Sequence, residues 1–109
     1  MVIYSHIKSS LFRYPIRMEK YPYLNEAVAN VLSRYRTSLS MSKKKLSEAA
    51  FIERAYITGL EAGKWNISLN VLFYICEAFG IAPDDFVSEV CEEVKKLEAE
   101  DKRFKVWKT

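Results

Sequence analysis

The residues best suited to chemistry in this chain stand together between positions 53 and 66. Arg54, Ala55, Thr58 and Gly59 are spaced to share one face of a helix, and Ile57 and Leu60, three apart, share the other. The first face is slim, with a single guanidinium near its start. Such a surface fits a DNA major groove, which is about 12 Å wide. Glu53 at the same end suits the helix dipole and could accept from a cytosine amino group. Lys64, Trp65 and Asn66 follow in the next loop. Trp65 either lies along a sugar-phosphate backbone, donating its indole N–H, or plugs the gap between the third and fourth helices.

A second cluster lies just upstream. Ser42 is placed to cap a helix, but Lys43, Lys44 and Lys45 fill the first turn, where cations oppose the helix dipole. A phosphate at that helix end would take both the free N–H groups and the charge. A solvated lysine face is the plainer alternative.

Catalytic constellations are missing from the pattern. His6 is the sole histidine, no glycine-rich phosphate loop occurs, and Cys76 and Cys91 stand at no metal-binding spacing. Asp84 with Asp85, and Glu92 with Glu93, fit solvated helix turns better than an acid/base pair. No enzymatic activity, cofactor or metal is expected.

The elements that hold these residues follow from periodicity. Leu24, Ala27, Val28, Val31, Leu32 and Tyr35 form an apolar stripe for a first helix over residues 22–37, with Pro22 in its first turn. Ser42 opens the second helix, and the third spans about 53–62. Ser68 caps a fourth that buries Leu72, Ile75, Cys76 and Phe79 and stops at Gly80. Pro83, Asp84 and Asp85 open a fifth, proline first and acids next. Its stripe of Val87, Val90, Cys91, Val94 and Leu97 runs on past residue 88. Either a second copy of the chain covers that stripe or residues 1–20 fold back on it, and Phe104, Val106 and Trp107 could extend the contact. Glu92 with Lys96, and Glu98 with Lys102, are spaced as i, i+4 pairs on the wet side.

Residues 1–21 are expected to be an aromatic N-terminal arm, either extended and partly packed on the helices or carrying short strands at 2–4 and 11–14. Met18 is an alternative natural start. No apolar run reaches the ~18 residues that would cross a membrane. The first residues lack a basic lead, an apolar region and a cleavage site, so a cytoplasmic protein with reduced thiols is expected.

Half of the 109 residues are hydrophobic and 28% are charged, which gives one globular domain plus a tail. The net charge of +3 is unevenly laid out. Residues 31–68 carry seven Lys/Arg against three Glu, and residues 69–101 carry two Lys against nine acids. The first stretch suits a polyanion and the second would be repelled by it.

Residues 42–68 resemble the helix-turn-helix of the phage repressor, Cro and XRE-type transcriptional regulators. The family's apolar and small positions are filled by Leu46, Ser47, Ala50, Phe51, Ile52, Ile57 and Leu60. Its Glu-x-Gly-Lys-x-Asn-x-Ser pattern is matched by Glu61, Gly63, Lys64, Asn66 and Ser68. The likeness continues through Leu69, Leu72, Ile75, Cys76, Phe79, Gly80, Ile81, Asp85 and Phe86, and covers residues 24–88.

The resemblance implies an all-α, five-helix lambda-repressor-like domain over 22–88; the apolar stripe that runs on beyond it makes residues 89–109 an expected C-terminal helix extension for dimerisation. It implies that Lys43, at the start of the second helix, takes a place from which the family reaches DNA, and that Arg54, Ala55 and Gly59 meet base edges; Lys44 joins the candidates from the cationic first turn alone. Thr58 and Glu53 stand beside them, and Lys64 and Asn66, on either side of Trp65, match family positions that touch backbone phosphate. Arg36 and Glu61 match a family ion pair. Phe51 stands where the family usually has a left-handed glycine, a strain of about 1–3 kcal/mol for phenylalanine. Gly59 in mid-helix costs ~1 kcal/mol against alanine and offers no side chain, so specificity leans on DNA shape or is low.

The function expected is a sequence-specific transcriptional regulator, a repressor, that binds a near-palindromic double-stranded operator as a homodimer. The alternative is a protein-interaction module, such as an XRE-type antitoxin or bridging factor. Its partner would be a toxin or the transcription machinery, and DNA binding would be secondary.

Overall fold

The computed structural model describes residues 20–108, with side chains described through Lys102. The strands expected at 2–4 and 11–14, His6, and the side chains of Phe104, Val106 and Trp107 lie outside these. Five helices follow in order: α1 Leu24–Ser38, α2 Lys43–Ala50, α3 Arg54–Glu61, α4 Leu69–Phe79 and α5 Pro83–Lys108. No strand occurs among the described residues, and no described helix is long and apolar enough to cross a membrane.

Each boundary has a local cause. Helix α1 starts at Leu24, not at Pro22, because Tyr23 takes a left-handed conformation (φ 64°) and turns the chain in. Ser42 and Ser68 cap α2 and α4, their hydroxyls accepting from Lys45 N at 3.0 Å and Val71 N at 3.1 Å. Gly80 ends α4 in the left-handed region (φ 74°), with Ile81 N donating to the Cys76 carbonyl. Phe51 ends α2 with φ 58° and ψ 42°. The same left-handed closure is therefore made there by a residue that bears a Cβ.

The core draws on all five helices. Leu32 of α1, Leu46 of α2, Ile57 and Leu60 of α3, Ile75 of α4 and Phe86 of α5 are buried together. The Tyr35 ring stacks on Phe79 and Phe86 at centroid distances of 5.8 and 5.9 Å. Burial pushes the Cys76 thiol up to about 11, so it stays protonated, and Cys91 is exposed; both are free.

Helix α5 lies along α1. This accounts for its stripe: Val90 is in the core, and Val94 and Leu97 pack against it. Three of the five residues expected at a dimer contact are thus covered within the chain, and Val87 and Cys91 remain exposed. The helix runs unbroken past residue 88.

Polar clamps reinforce the α1–α5 pairing. Glu93, buried on α5, accepts from Asn30 Nδ2 at 3.0 Å and from Arg34 Nη2 at 2.7 Å. The Tyr35 hydroxyl donates to Glu89, and the Tyr23 hydroxyl to Asp101. Lys102 pairs with Glu98 at 3.3 Å, whereas Glu92 pairs with Lys95 instead of Lys96. Much of the acidic character of residues 69–101 is therefore used internally.

Two outcomes follow. Phe51 is 87% exposed, so Phe51→Gly removes strain with little loss of packing and should stabilise the fold by about 1 kcal/mol in a urea melt. A decrease would mean that the ring packs on something. Glu93 is held below the usual carboxylate range, first by Asn30 and then by Arg34. A depressed pKa contributes stability above the unfolded value, about 4.3, and loses it as pH falls through the folded value. The stability gap between wild type and Glu93→Gln should therefore be full at pH 6 and shrink below pH ~4. A gap that stays constant would remove Glu93 from the account.

Candidate nucleic-acid interface

Eight residues make α3, too few to persist alone, so its orientation is imposed from outside. Ile57 and Leu60 are buried on the inner side. Arg36 on α1 holds the C-terminal end: its Nε donates to Glu61 Oε2 at 2.6 Å and its Nη2 to Glu61 Oε1 at 3.0 Å. The third arm of the same guanidinium, Nη1, donates to the Met41 carbonyl at 2.8 Å, just ahead of α2. One side chain thus ties α1, the α1–α2 connection and α3. The pair is largely buried, at 14% and 7% side-chain exposure, and the bond to Glu61 raises the Arg36 pKa.

At 100° per residue, the side of α3 opposite Ile57 and Leu60 carries Ala55, Thr58, Gly59 and Ala62, with Arg54 on its flank. Arg54, Ala55, Thr58 and Ala62 are exposed, as is Glu53 in the N-cap position. No Glu53 side-chain bond caps the helix, so the first N–H groups of α3 keep their donor capacity. Lys43 is half-buried at the first position of α2, and Lys44 and Lys45 are exposed there beside the Ser42 cap.

The loop after α3 departs from the expectation. Gly63 takes φ 73°, and Lys64 N donates back to the Gly59 carbonyl at 3.0 Å. The reversal lays Trp65 on the outer side of α3 at Gly59: a Cβ built on Gly59 would lie 1.7 Å from Trp65 Nε1 and 1.9 Å from Cδ1. Gly59 is consequently buried, not open, and Trp65 itself is half-exposed. Asn66 is pinned on both sides. Its Oδ1 accepts from Asn25 Nδ2 at 2.9 Å, and its carbonyl accepts from the Tyr56 hydroxyl at 3.2 Å. Lys64 is exposed next to it.

One surface escaped the sequence reading. Leu69, Phe73 and Tyr74 on α4 are 70%, 54% and 54% exposed. Their spacing, set against the inward Leu72, Ile75, Cys76 and Phe79, was the signal that could have marked it. Among the described residues, no group of three or more His, Cys, Asp or Glu side chains could hold a metal ion.

Comparison with known proteins agrees with this geometry. The family model of the Cro/C1-type helix-turn-helix DNA-binding domain matches residues 31–92, more than half of the chain. The clp gene regulator ClgR from Corynebacterium glutamicum is similar in structure, with a TM-score of 0.73 and 25% identity over 80% of this chain and 93% of that one. The restriction-modification controller protein C.AhdI from Aeromonas hydrophila is similar with a TM-score of 0.56 and 27% identity, over 61% of this chain and 98% of that one. C.Esp1396I, another such controller, shares the fold at 22% identity and a TM-score of 0.62, over 68% of this chain and 95% of that one. No curated protein sequence matches. With its third helix held outward-facing behind a capped second helix, the chain belongs to the Cro/C1-type helix-turn-helix DNA-binding domain family and is a DNA-binding transcriptional regulator.

Proposed function

We propose that the protein binds a near-palindromic operator as a homodimer, with α3 in the major groove of each half-site, and that it acts as a repressor in the cytoplasm. The observation that carries this reading is the two-sided character of α3. Its inner side is wholly buried, and its outer side presents Arg54, Ala55 and Thr58 to solvent with no partner from the rest of the described domain. Arg54 is the candidate for a bidentate contact to guanine O6 and N7, and Thr58 and Glu53 are further candidates for base edges. Lys43, Lys44, Lys64 and Asn66 supply the phosphate contacts that fix register without reading sequence.

A second copy is expected on α4 instead of α5. The α4 face of Leu69, Phe73 and Tyr74 is apolar apart from Glu77, the one charged residue of that helix, and a two-fold contact sets identical faces together. Val90, Val94 and Leu97 of the α5 stripe are already covered within the chain. Occlusion by a dimer of this size is the simplest route to repression. ClgR, described as a clp gene regulator, supports regulation as the broad role.

The test is a salt series on a duplex selected from a random pool. The slope of log K against log salt should be steep, and a slope near zero would overturn the reading. Arg54→Ala should cost ~1–3 kcal/mol and relax base preference at one position per half-site. Lys44→Ala should weaken all sequences alike and flatten the slope by about one. In sedimentation, Phe73→Glu should give monomers that lose the symmetric half-site preference. A wild type that stays monomeric on the duplex would remove the dimer.

A further inference from the structure

The outer side of α3 looks nearly bare in sequence, because Ala55 and Ala62 offer only methyl groups and Gly59 offers nothing. Glycine in mid-helix costs ~1 kcal/mol against alanine, so its presence needs a reason. Trp65 supplies it. A Cβ at position 59 would sit 1.7 Å from Nε1 and 1.9 Å from Cδ1, distances that no pair of atoms tolerates, so the indole occupies the space of the missing side chain.

The orientation of the ring decides what it can recognise. The two nearest atoms, Nε1 and Cδ1, are one edge of the five-membered ring, and Cε2 is already 3.0 Å away. The N–H edge is therefore turned to the helix backbone, and the six-membered ring lies away from it. Trp65 remains 52% exposed, so what it offers outward is mostly hydrocarbon. A phosphate oxygen would want the N–H. The hydrocarbon edge wants an apolar partner, and the apolar group that a base pair displays in the major groove is the thymine 5-methyl.

The ring is also held in place before anything binds. The Gly63 reversal and the Lys64 N bond to the Gly59 carbonyl fix the chain on one side, and the two bonds to Asn66 fix it on the other. A preorganised apolar contact loses little on binding.

We infer that Trp65, seated in the notch left by Gly59, reads a thymine in each half-site through its 5-methyl group, and so replaces the side chain that α3 lacks at that register. The inference rests on the docking of α3 in the major groove proposed above.

The experiment uses the full chain with Trp107→Phe, which leaves Trp65 as the only tryptophan. Its probe is a selected duplex in which each thymine in turn is replaced by 2′-deoxyuridine, which pairs identically but lacks the methyl. One position per half-site should lose about four-fold in affinity, the worth of one buried methyl. The same replacement should be silent with Trp65→Ala, and Trp65 emission should shift when the unsubstituted duplex binds. Gly59→Ala keeps the indole but fills its seat, and should also abolish the thymine preference. This separates loss of the ring from loss of its position, and circular dichroism checks that each variant folds. If no thymine responds, or if the response survives in Trp65→Ala, the inference is overturned while DNA binding stands. A wild type that shows no salt-dependent affinity for any duplex overturns the groove docking itself.

Discussion

The forked contact of Arg36 is the constraint on which the rest of the structure turns. Its guanidinium donates to both Glu61 oxygens and to the Met41 carbonyl, so α1, the approach to α2 and the end of α3 are fixed to one planar group. A lysine would make one of these bonds and leave the others open. Because the pair is mostly buried, removing either partner would strand a charge at a cost of roughly 3–5 kcal/mol. A helix of eight residues cannot absorb such a loss by itself. What the contact secures is less overall stability than the direction in which α3 faces.

The sequence disclosed a great deal of this, because the fold is built from short-range signals. The apolar stripe of α1, the serines at 42 and 68, and Gly80 each act over one turn of helix, and a linear reading captures interactions of that range. Less legible were features set by tertiary contact. The apolar stripe of α5 shows that something must cover it, and only the packing reveals that α1 does so. The buried Glu93 falls in an acidic run that reads as solvated until Asn30 and Arg34 are seen beside it.

Gly59 illustrates the same limit at the interface. In sequence it is a defect, a helix-weakening residue where a base reader belongs. In the structure it is half of a pair whose other half lies six residues on, joined through the left-handed turn at Gly63. Phe51 is the opposite case. Its unusual conformation follows from its place in the turn, and its 87% exposure shows that no packing within the described domain offsets the strain.

The charge layout also becomes intelligible in three dimensions. Lysines at the start of α2 keep their charge toward solvent, whereas the acids of α5 are partly consumed by Arg34 and by tyrosine hydroxyls on α1 and beside it. The most direct test of the central claim, that the outer side of α3 is the surface that meets DNA, is a map of backbone amide shifts as a selected duplex is titrated in. The account predicts the largest changes at Lys43, Arg54, Ala55, Thr58 and residues 64–66, with α5 unmoved beyond Val94. Changes concentrated on α5, with α3 silent, would contradict it.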